Sequence, residues 1–320
     1  MTRASDLKIS IITPSYNQGR FLEETIQSVL TQNYPNIEYI IIDGGSTDGS
    51  IDMIHKYKKY LAYWLSEPDK GQSDAINKGW SKSTGDVLCW INADDLYKPE
   101  ALKNVAEVFN ENPNAIAVIG AGETYNITGN ECLSRRPPQF DPYAMIKTCG
   151  SVPIQPSVFI KRNVYEEIGG LDVNLHYVMD WEYWIRIGLY YRKDQIVRTP
   201  SILSINREWP ATKTNIGWQR SCEEHRIILY RLKDKIPDQA LIKAGIRSSY
   251  RKQADSALRN NMNRESIYYI AKSLSVDPLR HNPLRECILF LYLLLGKNKS
   301  QVIKQLTSSL REKLGNRISY

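Results

Sequence analysis

Up to about residue 120 the chain alternates, without a break, between short apolar runs and stretches with helical spacing. Runs at 8–14, 37–42, 63–65, 87–91 and 115–119 have the length and composition of strands. Between them, Phe21, Leu22, Ile26, Val29 and Leu30, then Ile51, Ile54 and Tyr57, then residues 73–82, then Ala101, Val105, Val108 and Phe109 carry helical patterns. Strands that alternate with helices imply a mostly parallel, doubly wound sheet of Rossmann type, flanked by helices. Residues 123–150 lose the pattern, and Arg135-Arg136-Pro137-Pro138 reads as loop. A strand at 158–160, a helix at 161–168 closed by Gly169-Gly170, an amphipathic helix around Trp181, Trp184, Ile185 and Leu189, and a strand at 201–206 follow. Beyond Ile216 the sequence is largely helical. The expected organisation is an α/β domain over 1–215 and a basic helical C-terminal extension over 216–320.

Charge divides the chain at nearly the same place. Residues 220–320 hold 20 Lys and Arg against 9 Asp and Glu, while the chain as a whole carries +7, which leaves the first part net acidic. Such a tail points to an anionic surface, membrane lipid, nucleic acid or an acidic acceptor, of which nucleic acid is not the expected partner. The longest apolar run, 287–295, is flanked by Arg280, Arg285, Lys297 and Lys299 and is about half the ~18 residues a membrane span needs. It suits either a membrane interface or a buried helix. The start, 1–8, has no apolar signal region and reads as cytoplasmic, peripheral at the inner face of the membrane if the tail binds lipid. Five scattered cysteines without CxxC spacing argue against a disulfide framework and a zinc site.

The chemistry-bearing residues gather where strands are expected to end. The run at 87–91 leaves as Asn92-Ala93-Asp94-Asp95. Because an ionised carboxylate is costly to bury, Asp94 and Asp95 are expected to stand at the strand's carboxyl edge, where open α/β sheets bind ligands. Hard oxygen donors suit Mg²⁺ or Mn²⁺, which suit phosphate oxygens. The same pair also fits a turn leading to the helix near Pro99. Thr13-Pro14-Ser15-Tyr16-Asn17 lies at the matching end of the first strand, with Tyr16 suited to pack on a base or ribose. Asp43-Gly44-Gly45-Ser46-Thr47-Asp48-Gly49-Ser50 joins a strand to a helix: the glycines admit close approach, the helix start offers N–H groups, and Asp43 suits a nucleobase N–H. A plain turn with Asp48 or Ser50 as N-cap accounts for it equally. No GxGxxG is present, which disfavours dinucleotide binding.

In Asp69-Lys70-Gly71-Gln72-Ser73-Asp74-Ala75-Ile76-Asn77-Lys78-Gly79, Lys70 or Lys78 suits a diphosphate and Asp74 a base or sugar; a solvated helix face is the structural alternative. Asp180 lies beside Trp181 and Trp184, where desolvation raises a carboxylate's pKa and suits it to general-base work. An N-cap, with Arg186 pairing Glu182 one turn on, is the alternative. Trp209-Pro210-Ala211-Thr212-Lys213-Thr214 suits a loop over a nucleotide, Lys213 facing the diphosphate, or a connector to the tail.

Together with Gln155-Pro156-Ser157, Gly169-Gly170-Leu171-Asp172 and Met179-Asp180-Trp181-Glu182-Tyr183-Trp184-Ile185-Arg186, these blocks resemble the family 2 glycosyltransferases of the GT-A fold, over residues 8 to about 214. The resemblance implies inverting transfer of a sugar from a UDP-, GDP- or dTDP-linked donor to a saccharide or lipid-linked acceptor hydroxyl, in polysaccharide or glycolipid synthesis of bacterial type. It implies that Asn92-Ala93-Asp94-Asp95 replaces the family's DxD motif, with Asp94 or Asp95 on the divalent cation. It implies that Asp43 holds the base, that Asp180 is the catalytic base, and that Asp172 shapes the acceptor site. Thr13, Pro14, Tyr16, Lys70, Asp74, Asn92 and Lys213 complete the expected donor site. Two departures stand out: Met179 replaces an acidic residue frequent before the base, and Trp209 and Lys213 occupy a late loop that often carries histidine. A nucleotidyltransferase would need a basic glycine-rich loop near the first strand, absent between Pro14 and Arg20. A catalytically silent module binding carbohydrate or membrane would not need Asp94, Asp95 and Asp180 together.

Overall fold

The computed structural model describes residues 7–276. The apolar run at 287–295 with its flanking Arg280, Arg285, Lys297 and Lys299, and residues 1–6 of the start, lie outside the described residues. The chain packs as two units, one comprising the chain to Met145 together with Gly150–Ile216, the other Ile146–Cys149 and the chain from Gly217.

The first unit follows the alternation of its sequence. Strand β1 (Ile9–Ser15) leads to α1 (Gly19–Leu30), β2 (Ile37–Asp43) to α2 (Ser50–Tyr57), β3 (Tyr63–Ser66) to α3 (Gln72–Lys82), and β4 (Val87–Trp90) through the two-residue β5 (Leu96–Tyr97) to α4 (Ala101–Glu111). β6 (Ala117–Asn126) and β7 (Glu131–Arg135) form a hairpin, α5 (Pro142–Thr148) follows, and β8 (Val158–Lys161), α6 (Arg162–Ile168), α7 (Met179–Tyr190) and β9 (Ile196–Glu208) complete the sheet. The strand order is β3-β2-β1-β4-β8-β6-β9-β5, with β7 against β6. β1 to β4 are mutually parallel where they pair, β8 enters antiparallel between β4 and β6, and β6 and β9 run parallel.

Apolar residues on both faces bury the central strands, which is why they read as unbroken runs. Ile9, Ile11, Tyr39, Ile41, Val87 and Cys89 pack with Leu22, Ile26 and Val29 of α1 and Leu102 and Val105 of α4. Ile40 and Ile42 point the other way, toward Ala75 of α3. α3 lies so close to β1 that a Cβ on Gly79 would stand 2.6 Å from Ile12. Buried Glu38 interrupts the apolar run of β2 and gathers Lys8 Nζ (2.7 Å), Ser10 Oγ (2.6 Å), Thr84 N (2.6 Å) and Thr84 Oγ1 (2.7 Å). Burial alone would raise its pKa, but these donors together bring it down to about 2.

α3 also holds the segment before α7. Asn77 brackets Leu171, its Nδ2 donating to the carbonyl (2.8 Å) and its Oδ1 accepting from the amide (2.9 Å), and Ser73 Oγ donates to Leu175 O (3.0 Å). Trp90 of β4 stacks on Trp184 of α7 at 5.4 Å and meets Trp80 of α3 edge-on at 5.6 Å, so α7 rests on an aromatic floor.

The hairpin and α5 replace the irregular structure expected for 123–150. β7 is exposed at every position and has no buried face to give alternation. α5 does carry a start signal: the Asp141 carboxylate accepts from Tyr143 N (2.9 Å) and Ala144 N (3.2 Å), with Pro142 opening the helix. β6 and β9 extend well beyond the strands expected at 115–119 and 201–206, because they pair with each other along most of their lengths. In the second unit, α9 (Trp218–Leu232), α10 (Gln239–Arg259) and α11 (Asn263–Val276) bear out the helical expectation as far as they are described, after the single turn α8 (Lys213–Ile216) that ends the first unit.

Candidate active site

A cleft of about 650 Å³ opens in the first unit at the carboxyl ends of β1 and β4. Pro14, Ser15 and Tyr16 border it at the end of β1, Asn92, Ala93, Asp94 and Asp95 after β4, Asp180 at the start of α7, Asn206–Glu208 at the end of β9, and Ala211–Lys213 beyond it. Carboxylates from distant parts of the sequence thus share one wall, because parallel strands deliver their carboxyl ends to the same edge.

The 92–95 turn is fixed from several sides. Asp95 is buried; its Oδ1 accepts from Arg207 N (3.0 Å), its Oδ2 from Asn92 Nδ2 (3.0 Å), and its carbonyl from Thr25 Oγ1 (2.8 Å). Burial, then the neighbouring Asp94 charge, pushes its carboxyl well above the usual range. Asp94 presents its carboxylate to the cleft, one oxygen accepting from Trp209 Nε1 (3.1 Å), while its carbonyl accepts from Arg207 Nε. Asn92 Oδ1 accepts from Gln72 Nε2 (2.6 Å), and Lys213 Nζ reaches Gln72 Oε1 (2.9 Å) and His176 O (3.3 Å). Asp180 sits in the first turn of α7, where the helix start favours negative charge, and burial raises its pKa above the ordinary carboxylate value.

The cleft wall also carries buried polar atoms with no hydrogen-bond partner: Ser15 Oγ, Gln18 Oε1, Trp90 Nε1, Gln155 Oε1 and Thr212 Oγ1. Buried polar groups are normally satisfied, so these five atoms leave hydrogen-bonding capacity unused beside the cleft. As for a cation, no three His, Cys, Asp or Glu side chains among the described residues converge into a ready-made cage. The donor set is instead the carboxylates of the 92–95 turn, Asp94 with one oxygen held by Trp209 and the buried Asp95 beside it. That fits a small hard cation held by one or two carboxylates plus a ligand's phosphates.

Of the residues singled out in the sequence, Pro14, Tyr16, Asn92, Asp94, Asp95, Asp180 and Lys213 line the cleft. Thr13, Asp43, Lys70 and Asp74 do not. Thr13 is buried, its hydroxyl 3.0 Å from Tyr39 OH. Asp43 is buried at the end of β2 and accepts from Gly45 N (3.0 Å), Ser46 N (2.9 Å), Ser46 Oγ (2.6 Å) and Ser66 Oγ (2.7 Å); the next residue, Gly44, reaches the cleft. Asp74 takes Lys70 N (3.1 Å) and pairs with Lys78 (3.3 Å), which also pairs with Glu67 (2.8 Å). Asp172 caps its own turn through Asn174 N (2.9 Å). Arg207 was not legible: an arginine at a strand end reads as surface, yet its side chain is only 5% exposed, lying over the Phe21 ring (4.8 Å) and donating to the Asp94 carbonyl while it pairs with the exposed Glu24 of α1. Gln155 carried a signal in Gln155-Pro156-Ser157, where its Nε2 donates to Trp90 O (2.8 Å).

Comparison with known proteins gives a consistent picture. The family described as "Glycosyl transferase family 2" matches residues 10–169. An uncharacterized glycosyltransferase of Nostoc sp. (strain PCC 7120) is 39% identical over 106 residues, 32% of this chain and 33% of that protein, so the match spans about a third of the relative's length. The structure of S. aureus TarS 1-349 in complex with UDP-GlcNAc superposes with a TM-score of 0.62 at 15% identity, covering 89% of this chain and 84% of that one. The mannosyltransferase PcManGT from Pyrobaculum calidifontis, in complex with GDP-Man and Mn²⁺, gives 0.55 at 17% identity, covering 98% and 88%. At these identities the two structures establish a shared GT-A fold.

Proposed function

The chain belongs to glycosyl transferase family 2, and from that membership we propose that it transfers a sugar from a nucleotide-sugar donor to an acceptor hydroxyl with inversion at the anomeric carbon. One observation carries the reading: Asp94 and Asp180 face a single cleft whose wall holds unpartnered buried polar atoms. The nucleotide lies against Pro14, Ser15 and Tyr16, with Asp43 shaping the turn that brings Gly44 to the cleft. The diphosphate lies between Asp94 and Lys213. Bound there, a divalent cation, Mn²⁺ or Mg²⁺, supplies Lewis-acid stabilisation of the leaving diphosphate. Asp94 would hold it, since one of its carboxylate oxygens is left to the cleft while both oxygens of Asp95 are taken up by Arg207 N and Asn92 Nδ2. Lys213 adds positive charge on the same side. Asp180 takes the proton of the acceptor hydroxyl as that oxygen attacks the anomeric carbon, which is oxocarbenium-like in the transition state. Its raised pKa strengthens it as a base.

A saccharide or lipid-linked acceptor, a role in polysaccharide or glycolipid synthesis, and peripheral attachment of the basic extension to an anionic inner membrane face complete the proposal. No helix among the described residues is long and apolar enough to cross a membrane.

The test is nucleotide release from UDP-, GDP- and dTDP-sugars with Mn²⁺, with and without added saccharide acceptors. Asp180→Asn is expected to lower turnover by two to four orders of magnitude, about the range for a positioned base, with donor affinity unchanged. Activity of the wild type should rise with pH through a value above the ordinary carboxylate range, because Asp180 works only when deprotonated and burial disfavours that form. Equal, slow release by wild type, Asp95→Asn and Asp180→Asn would favour a silent binding module.

A further inference from the structure

We infer that Trp209, just beyond β9, is the positioning residue that sets the Asp94 carboxylate for its cation; this rests on Asp94 being the cation ligand. Two separate holds act on Asp94. Arg207 Nε donates to its carbonyl and fixes the backbone, and Trp209 Nε1 donates to Oδ2 at 3.1 Å and fixes the side chain. With one oxygen held, the other is left to the cleft that Asp94 lines.

The indole is itself held firmly enough to act as a fixture. The Arg20 guanidinium lies 4.0 Å from its ring centroid and 4.2 Å from that of Phe21, and the two aromatic centroids are 5.4 Å apart. The Trp209 carbonyl accepts from Thr212 N (3.0 Å) and Asn215 Nδ2 (2.9 Å), which ties its backbone to the loop that carries Lys213. A tryptophan N–H can donate but never accept, so the indole holds one carboxylate oxygen without itself being able to ligate a cation. Hydrogen bonds to the second oxygen of a ligating carboxylate orient it, and their loss typically weakens metal binding by about 10- to 100-fold. Asp95 is fixed separately by Arg207 N and Asn92, so the effect of Trp209 falls on Asp94 alone.

The experiment titrates Mn²⁺ onto the full chain at saturating UDP, with GDP in parallel, reading water-proton relaxation rather than turnover. Trp209→Phe keeps an aromatic ring in the stack and removes the N–H. It is expected to weaken Mn²⁺ binding about tenfold or more, with metal-free nucleotide affinity and the thermal midpoint unchanged. Mn²⁺ affinity within twofold of wild type, or tighter because the indole had competed with the cation, overturns the inference. Asp94→Asn separates the two readings. If it abolishes Mn²⁺ binding, Asp94 is the ligand and the Trp209 result stands on its own; if it binds Mn²⁺ as wild type does, the reading of Asp94 fails first and takes this one with it. A measurement on the wild type keeps the idea testable should Trp209→Phe unfold. The ¹⁵N-indole resonance of Trp209 should stay protected from exchange when Mg²⁺ and UDP are added, and loss of that protection overturns the inference.

Discussion

At the residue scale, the cleft gathers side chains whose chemistry is awkward anywhere except a site. Asp94, Asp95 and Asp180 stood out because carboxylates beside buried strands or tryptophans need a reason to be there, and all three border the cleft. Residues that act through a partner left less trace. Arg207 matters through Glu24, Asp94 and Asp95, and Gln72 matters by bridging Asn92 and Lys213; both links run between positions far apart in the chain. Asp43 shows the converse, a residue conspicuous in sequence whose carboxylate is turned into its own loop. Four donors converge on it with no exposure to water, and Gly45 beyond it adopts a left-handed φ of 82° that suits glycine. Asp43→Ala is therefore expected to destabilise the fold by roughly 2–4 kcal/mol, since it strands several buried donors at once. Urea denaturation checks this; a change below about 0.5 kcal/mol, the range of an ordinary surface substitution, would show that the turn stands without its carboxylate.

At the scale of elements, the parallel strands and the helices between them were readable because burial on two faces writes continuous apolar runs. β7 was not, because a strand exposed at every position has no such constraint on its composition. Glu38 lies between these cases, a polar residue inside an apolar strand that ties β1, β2 and the turn before β4 together. Its pKa falls from 4.5 to about 2 on folding, so the unfolded chain binds the proton more tightly. The stability Glu38 contributes is present above about pH 4.5 and is lost as pH falls toward 2. Acid unfolding of Glu38→Gln should accordingly be shallower than that of the wild type across this window, with the variant less stable at neutral pH. Parallel acid-denaturation curves would contradict the assignment.

At the scale of the whole molecule, the charge division between the first 219 residues and the remainder predicts where an anionic surface would act. The full chain is expected to sediment with vesicles containing phosphatidylserine at low ionic strength, to be released as salt shortens the Debye length to about 3 Å near 1 M, and to ignore neutral vesicles. Salt-independent or equal binding to both vesicle types would assign the basic residues to another task. Within the first unit, α3 touches nearly everything that surrounds the cleft: Gln72 reaches the Asn92 turn and Lys213, Ser73 and Asn77 reach the segment leading into α7, and Gly79 lies against β1. One rod thus serves as the common anchor for the Asn92 turn, for Lys213 and for the segment that leads to Asp180. Loops hung from it are free to diverge in length and sequence, as long as their points of attachment to that rod keep Asp94 and Asp180 at the same cleft.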